Sequence, residues 1–203
     1  AFLFNNLFFI IAFIIVFIGT LYPLFVEVME FQKVSVGPPY YNAVFMPVAW
    51  GIIFLMGIGP YIPWRKCSVS ALKDIFTLPL IVAFCSLPTF YLFNIRDGYA
   101  LAALSVTFFT GTSIIQDYVN LGKMWADREK TSLMTGIVRG LRQNPRKTAG
   151  ILTHVGVLVM TVGIVASTLF QAEKMQIMKP GDSISLNQYD FKLLELYPAK
   201  GGN

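Results

Sequence analysis

The sequence predicts an all-α integral membrane protein, with about five transmembrane helices and a small extracytoplasmic β-like tail. Three observations predict it. Of 203 residues, 55% are hydrophobic and only 13% charged, whereas soluble domains carry roughly a quarter charged residues. Five apolar stretches, 2–25, 42–63, 75–93, 99–116 and 149–170, contain no Lys, Arg, Asp or Glu. Each comes close to the ~20 residues a helix needs to cross a bilayer, the fourth being the shortest. The connections between them alternate in basic charge.

The first span carries Asn5-Asn6 near one end. Two amides in an otherwise apolar helix read either as interhelical hydrogen bonding or as a functional pair. The connection 26–41 holds Glu27, Glu30 and Lys33, then Ser35-Val36-Gly37-Pro38-Pro39-Tyr40-Tyr41-Asn42. Two prolines with fixed φ predict an ordered turn at Gly37–Tyr40 on the bilayer surface. Its alternatives are a capped entry to the second span or a functional loop. The connection 64–74 is basic, with Arg65, Lys66 and Lys73; the next, 94–98, is a tight turn balancing Arg96 with Asp97. The segment 117–148 carries Lys123, Arg128, Lys130, Arg139, Arg142, Arg146 and Lys147. Met124, Leu133, Met134, Ile137, Val138 and Leu141 recur there at roughly helical spacing, predicting an amphipathic helix on an anionic leaflet or against a partner.

Basic residues therefore gather in the second and fourth connections, which an even number of crossings places on one side. The positive-inside rule puts both in the cytoplasm, and the first, the third and the tail outside. Tyr22, Tyr61, Trp64, Tyr91 and Tyr118 stand near span ends, where amphipathic rings favour the interface. Pro23, Pro47, Pro60, Pro79 and Pro88 punctuate the spans, and the carbonyls they free need other partners. The net charge of +5 records this orientation and does not indicate nucleic acid. In the tail, 171–203, the Lys179-Pro180-Gly181-Asp182 turn precedes Ser183–Leu186 and Tyr189–Tyr197, two strand-like runs. With no initiating Met, no signal-peptide pattern and a terminal Ala199-Lys200-Gly201-Gly202-Asn203 turn, the chain reads as a segment of something larger.

Soluble-enzyme constellations are absent: no paired-carboxylate site, P-loop, GxGxxG or GxSxG occurs. Cys67 and Cys85 form no CxxC or CxxCH pattern and read as unpaired. The chain has one histidine, His154, and a lone histidine does not by itself make a protein-only zinc site. His154 lies one to two turns inside the fifth span, on the cytoplasmic side. An ionisable side chain at that depth is a functional-site hypothesis. Spacing alone leaves three readings open: a histidine hydrogen-bonded between helices, an axial ligand to haem iron, or a proton relay. Gly150 and Gly156 remove bulk nearby, leaving room for a flat macrocycle or a closely packed helix.

Several stretches occur in a characteristic order: Asn5-Asn6-Leu7, Gly19-Thr20-Leu21-Tyr22-Pro23, Ser35–Asn42, Gly57-Ile58-Gly59-Pro60, Trp64-Arg65, and the basic turn leading to His154-Val155-Gly156. Together they resemble the C-terminal portion of the cytochrome c maturation protein F (CcmF) family, the membrane subunit of the haem lyase for c-type cytochromes. The resemblance implies a bacterial or mitochondrial inner-membrane protein. It would accept haem from a haem chaperone and, with further lyase subunits, help join it to apocytochrome c. It also implies a haem b held between two transmembrane histidines, with quinol as electron source. His154 matches the second of those ligands and would be an axial ligand of the iron. The family's tryptophan-rich segment, its outer histidines, its first transmembrane histidine and its final span have no counterpart in these residues, so the residues that perform ligation would lie elsewhere. The chain then reads as part of a longer protein or as a split subunit. A paralogous lyase for a nitrite reductase cytochrome fits equally. An ion-coupled transporter or respiratory membrane subunit would need intramembrane carboxylates or lysines, which the spans lack.

Overall fold

The computed structural model describes residues 2–29, 35–61 and 69–197. Among the described residues six helices run in order: α1 (Phe2–Val28), α2 (Pro38–Ile58, continued by a 3-10 turn at Gly59–Tyr61), α3 (Val69–Leu92), α4 (Gly98–Glu129), α5 (Leu133–Gln143) and α6 (Pro145–Leu169). Two short strands follow, β1 (Ser183–Leu186) and β2 (Tyr189–Lys192). All helices except α5 are long and apolar enough to cross a membrane. The chain forms two compact units, 1–165 and 166–203. Trp64, Arg65, Lys66, Cys67, Glu30 and Lys33 lie outside the described residues.

Helix boundaries follow local chemistry. Gly37 caps α2, and Pro38 and Pro39 occupy its first turn, where a missing N–H costs nothing and the fixed φ suits a helix. Gly37–Tyr40 is thus the opening of a helix and not a free-standing turn. Asp97 caps α4, accepting from the Ala100 N–H at 2.7 Å. Lys130, in the left-handed region at φ 54°, ends it. Ser132 then caps α5, its hydroxyl accepting from the Thr135 N–H at 3.4 Å.

The largest departure from the expected boundaries is at the end of α4. The fourth apolar stretch stops at Gln116, yet α4 continues to Glu129 without a break. Its 32 residues extend about 48 Å at 1.5 Å per residue, well beyond a ~30 Å hydrocarbon core. Backbone hydrogen bonding continues across the interface because nothing in 117–129 breaks a helix. The expected single surface helix over 117–148 is therefore divided between the end of α4 and the separate α5.

In the first unit α4 is the hub, contacting α2, α3 and α5, while α1 packs on α2. In its most apolar stretch 44% of residues are buried, against 11–17% in the other spans. Thr110 on α4 is fully enclosed and donates to the Ile53 carbonyl of α2 at 2.8 Å. Gly57 makes this approach possible, since a Cβ there would stand 2.9 Å from Thr110 Oγ1 and 3.0 Å from its Cα. One to two turns on, the Tyr61 hydroxyl donates to the Ser113 carbonyl at 2.6 Å. Phe109 packs against the tilted ring of Phe54 at 4.8 Å and stacks on Phe76 at 6.0 Å. Small and polar contacts of this kind drive helix association in lipid, where apolar surface alone supplies little preference.

In the second unit, β1 and β2 pair antiparallel, Ser183 opposite Lys192 and Leu186 opposite Tyr189. Asn187 takes φ 54° in the connecting turn. The predicted Lys179–Asp182 turn forms, with Gly181 at φ 102° and the Asp182 N–H donating to the Lys179 carbonyl at 3.0 Å. β2 ends at Lys192, five residues before the predicted limit.

Candidate functional site

α6 is attached to the bundle along one narrow line. Ile151, Leu158 and Val165 are its buried residues, each seven apart. Ile151 and Leu158 join Ile53 of α2 and Ile114 of α4 in one apolar cluster. At the base of the helix Lys147 pairs with Asp117 of α4 at 2.8 Å, and the Thr148 hydroxyl donates to the Leu141 carbonyl at 2.9 Å. The remaining circumference is open: Leu152, Val159 and Met160 are 61–71% exposed.

His154 stands three residues after Ile151 and four before Leu158, positions that share a helix face. It therefore sits at the rim of the buried seam and is half-buried. No hydrogen bond to its imidazole is formed among the described residues, so the reading of an interhelical hydrogen-bonding histidine finds no partner here. Gly150 lies one turn below, and a Cβ there would meet nothing within 4 Å, so that side of the helix is open. Gly156 is equally open, but two residues along a helix is the opposite side. It removes bulk from another face and not from around the ring. Among the described residues no group of three His, Cys, Asp or Glu could hold a metal ion. His154 thus offers one unpartnered nitrogen ligand beside an open apolar surface. That fits half of a haem site, and this chain has no second histidine to complete it.

The structure brings together two stretches that the sequence keeps apart. Tyr40 donates to the Ile15 carbonyl of α1 at 3.3 Å. A Cβ at Gly19 would lie 2.8 Å from Tyr41 Oη and 2.9 Å from Tyr40 Cε1, so the two tyrosines of α2 are seated on that glycine. The Asn5-Asn6 pair is not drawn in: Asn5 is half-buried and Asn6 exposed, and neither side chain hydrogen-bonds among the described residues. Cys85 is a free, exposed thiol on α3.

Two features escaped the sequence reading. One is the buried polar line Thr107, Thr110 and Ser113 on α4, whose Ser113 hydroxyl lacks a partner. The other is the clasp between α4 and α5. Gly136 and Gly140 are buried, with Gly136 against the Gly122 carbonyl and Ala126, and Gly140 against Leu121 and Trp125. The Gly136-Ile137-Val138-Arg139-Gly140 spacing is a small-xxx-small signature that could have revealed it.

This arrangement defines a multi-pass α-helical membrane protein carrying one histidine inside a span. Among known proteins, the chain is 30% identical over 188 residues to the cytochrome c-type biogenesis protein CcmF of Pseudomonas fluorescens, covering 92% of this chain and 27% of that one. It is 30% identical over 205 residues to the cytochrome c-type biogenesis protein CycK of Bradyrhizobium diazoefficiens, covering 98% and 30%. To NrfE of Haemophilus influenzae it is 28% identical over 189 residues, covering 92% and 27%. Over nearly its whole length the chain is similar to these cytochrome c-type biogenesis proteins, consistent with a C-terminal portion of a CcmF protein. It spans less than a third of the length of these curated relatives. No family model and no solved structure matches it.

Proposed function

We propose that this chain is the C-terminal part of the membrane component of a cytochrome c haem lyase, in the inner membrane, holding one side of a haem b through His154. The observation that carries the reading is His154 itself: the chain's one imidazole, unpartnered, inside a span whose outer surface is open. Homology to proteins named for cytochrome c-type biogenesis supports the wider role. In that role it works with a haem chaperone, apocytochrome c and other lyase subunits, with quinol as the electron donor. The likeness to NrfE favours, as a second reading, a paralogous lyase with its own cytochrome substrate.

His154 would hold the haem iron through a ring nitrogen, with a second ligand from outside these residues. Bound haem would contribute one-electron chemistry at its iron. This chain's part is positional. Ile151 and Leu158 fix the rotation of α6, the Lys147–Asp117 pair fixes its base, and Gly150 removes bulk one turn below His154.

The test is the spectrum of the purified full-length protein. His154→Ala should remove low-spin haem b or reduce it at least tenfold while membrane insertion is unchanged. His154→Gly should recover a low-spin spectrum on addition of imidazole. A stoichiometric low-spin haem b in His154→Ala would refute the assignment.

A further inference from the structure

α5 divides into three faces. Gly136 and Gly140 lie against α4. Beside them runs an apolar stripe, Met134 and Val138, one turn apart and 73% and 51% exposed. The third face is basic, with Arg139 and Arg142. Met134, Thr135, Val138, Arg139 and Arg142 together line a surface cavity of about 380 Å³, apolar on one wall and cationic on the other.

Its depth and charge identify the occupant. α5 packs on residues 121–126 of α4, which is about 35–42 Å along that helix from its outer end. This is just past a ~30 Å hydrocarbon core and within the headgroup layer. α6 re-enters the bilayer from Pro145, three residues after Arg142. Seven basic and three acidic residues give segment 117–148 a net charge of +4, most of the chain's +5. The anions are largely engaged: Glu129 pairs with Arg139 at 3.1 Å, and Asp117 with Lys147. Arg142 and Arg146 are exposed and make no ion pair among the described residues. A guanidinium left unpaired at headgroup depth, beside an apolar wall, is matched by a phosphodiester carrying acyl chains.

We propose that the Arg139–Arg142 edge of α5 is a binding site for an anionic phospholipid of the adjoining leaflet. The phosphate sits on Arg142, with Arg139 contributing less because Glu129 already neutralises it, and the lipid's apolar part lies along Met134 and Val138. Bound there, the lipid bridges α5 to the foot of α6, the helix that carries His154.

Native mass spectrometry of the intact full-length protein, delipidated and then titrated with phosphatidylglycerol or phosphatidylcholine, tests this. Phosphatidylglycerol should be retained about fivefold or more over phosphatidylcholine. Arg142→Gln should lower that retention about fivefold, the effect of one cation at a membrane surface, while Arg142→Lys should keep most of it. Glu129→Gln, which frees Arg139, should raise it, a gain that misfolding could not imitate. Equal retention of the two lipids would overturn the proposal, as would unchanged retention in both Arg142→Gln and Glu129→Gln. Displacement of the lipid by millimolar inorganic phosphate, or tighter binding of a polyglutamate peptide, would reassign the site to free phosphate or to an acidic protein partner.

Discussion

Thr110 shows what a single side chain does in this bundle. Threonine in a transmembrane helix commonly turns its hydroxyl back to its own chain, as Thr107 does toward the Ala103 carbonyl at 2.7 Å. Thr110 instead crosses to Ile53, because Gly57 lets the backbones approach. Thr110→Val keeps the volume and removes the interhelical bond. It should therefore destabilise the purified protein by about 0.6–1.7 kcal/mol, the range of such bonds in membranes, read as a lower midpoint of denaturant unfolding. His154 lies at the other extreme. Its type and depth mark it out in one dimension, yet its half-buried rim position appears only when Ile151 and Leu158 are seen buried on either side.

At the scale of elements, the junction of α4 and α5 departs furthest from expectation. Apolar periodicity marks α5 as amphipathic, and this made a helix spread on the leaflet a reasonable reading. The glycines decide otherwise. A Cβ at Gly136 would occupy the space of the Gly122 carbonyl, so α5 is clasped to α4, and its Met134–Val138 stripe and its Arg139–Arg142 edge are left to face elsewhere. Gly136→Val should force the two helices apart at a cost of roughly 1–3 kcal/mol. Amide hydrogen exchange across Leu133–Gln143 should then quicken by one to two orders of magnitude, with the exchange of α2 unchanged. Equal protection of α5 in the variant and the wild type would mean that the clasp is not what holds it. The turn before α2 teaches a similar lesson: two adjacent prolines signal rigidity, but their place after Gly37 makes them a helix start.

For the whole molecule, orientation in the membrane follows from charge. Arg139, Arg142, Arg146 and Lys147 crowd the connection between α4 and α6, and an electronegative cytoplasmic leaflet holds such residues inside. A cysteine introduced at Arg142 should resist a membrane-impermeant maleimide applied to intact cells. A cysteine at Ser183, one crossing later, should react. Labelling of Arg142→Cys from outside would invert the topology, and with it the position of His154 near the cytoplasmic face. Outside the α4 hub, large apolar side chains such as Phe13, Phe84 and Val159 are well over half exposed. The spans therefore present most of their surface to lipid or to further helices of a longer protein.

By itself the sequence determined the number of spans, their order, the side on which positive charge collects and the presence of a single histidine inside a span. Each of these depends on local composition: twenty apolar residues must be helical in lipid whatever surrounds them, and a lone histidine needs no geometry to be counted. Only the tertiary structure decided which helix is central, that α4 runs 13 residues past its apolar stretch, that Gly19 receives two tyrosines, and that His154 has no hydrogen-bond partner among the described residues. Those outcomes depend on contacts between residues tens of positions apart. In a membrane, where nearly every side chain is apolar and the hydrophobic pattern loses its power to tell inside from outside, such contacts rest on a few glycines and hydroxyls whose partners no local signal names.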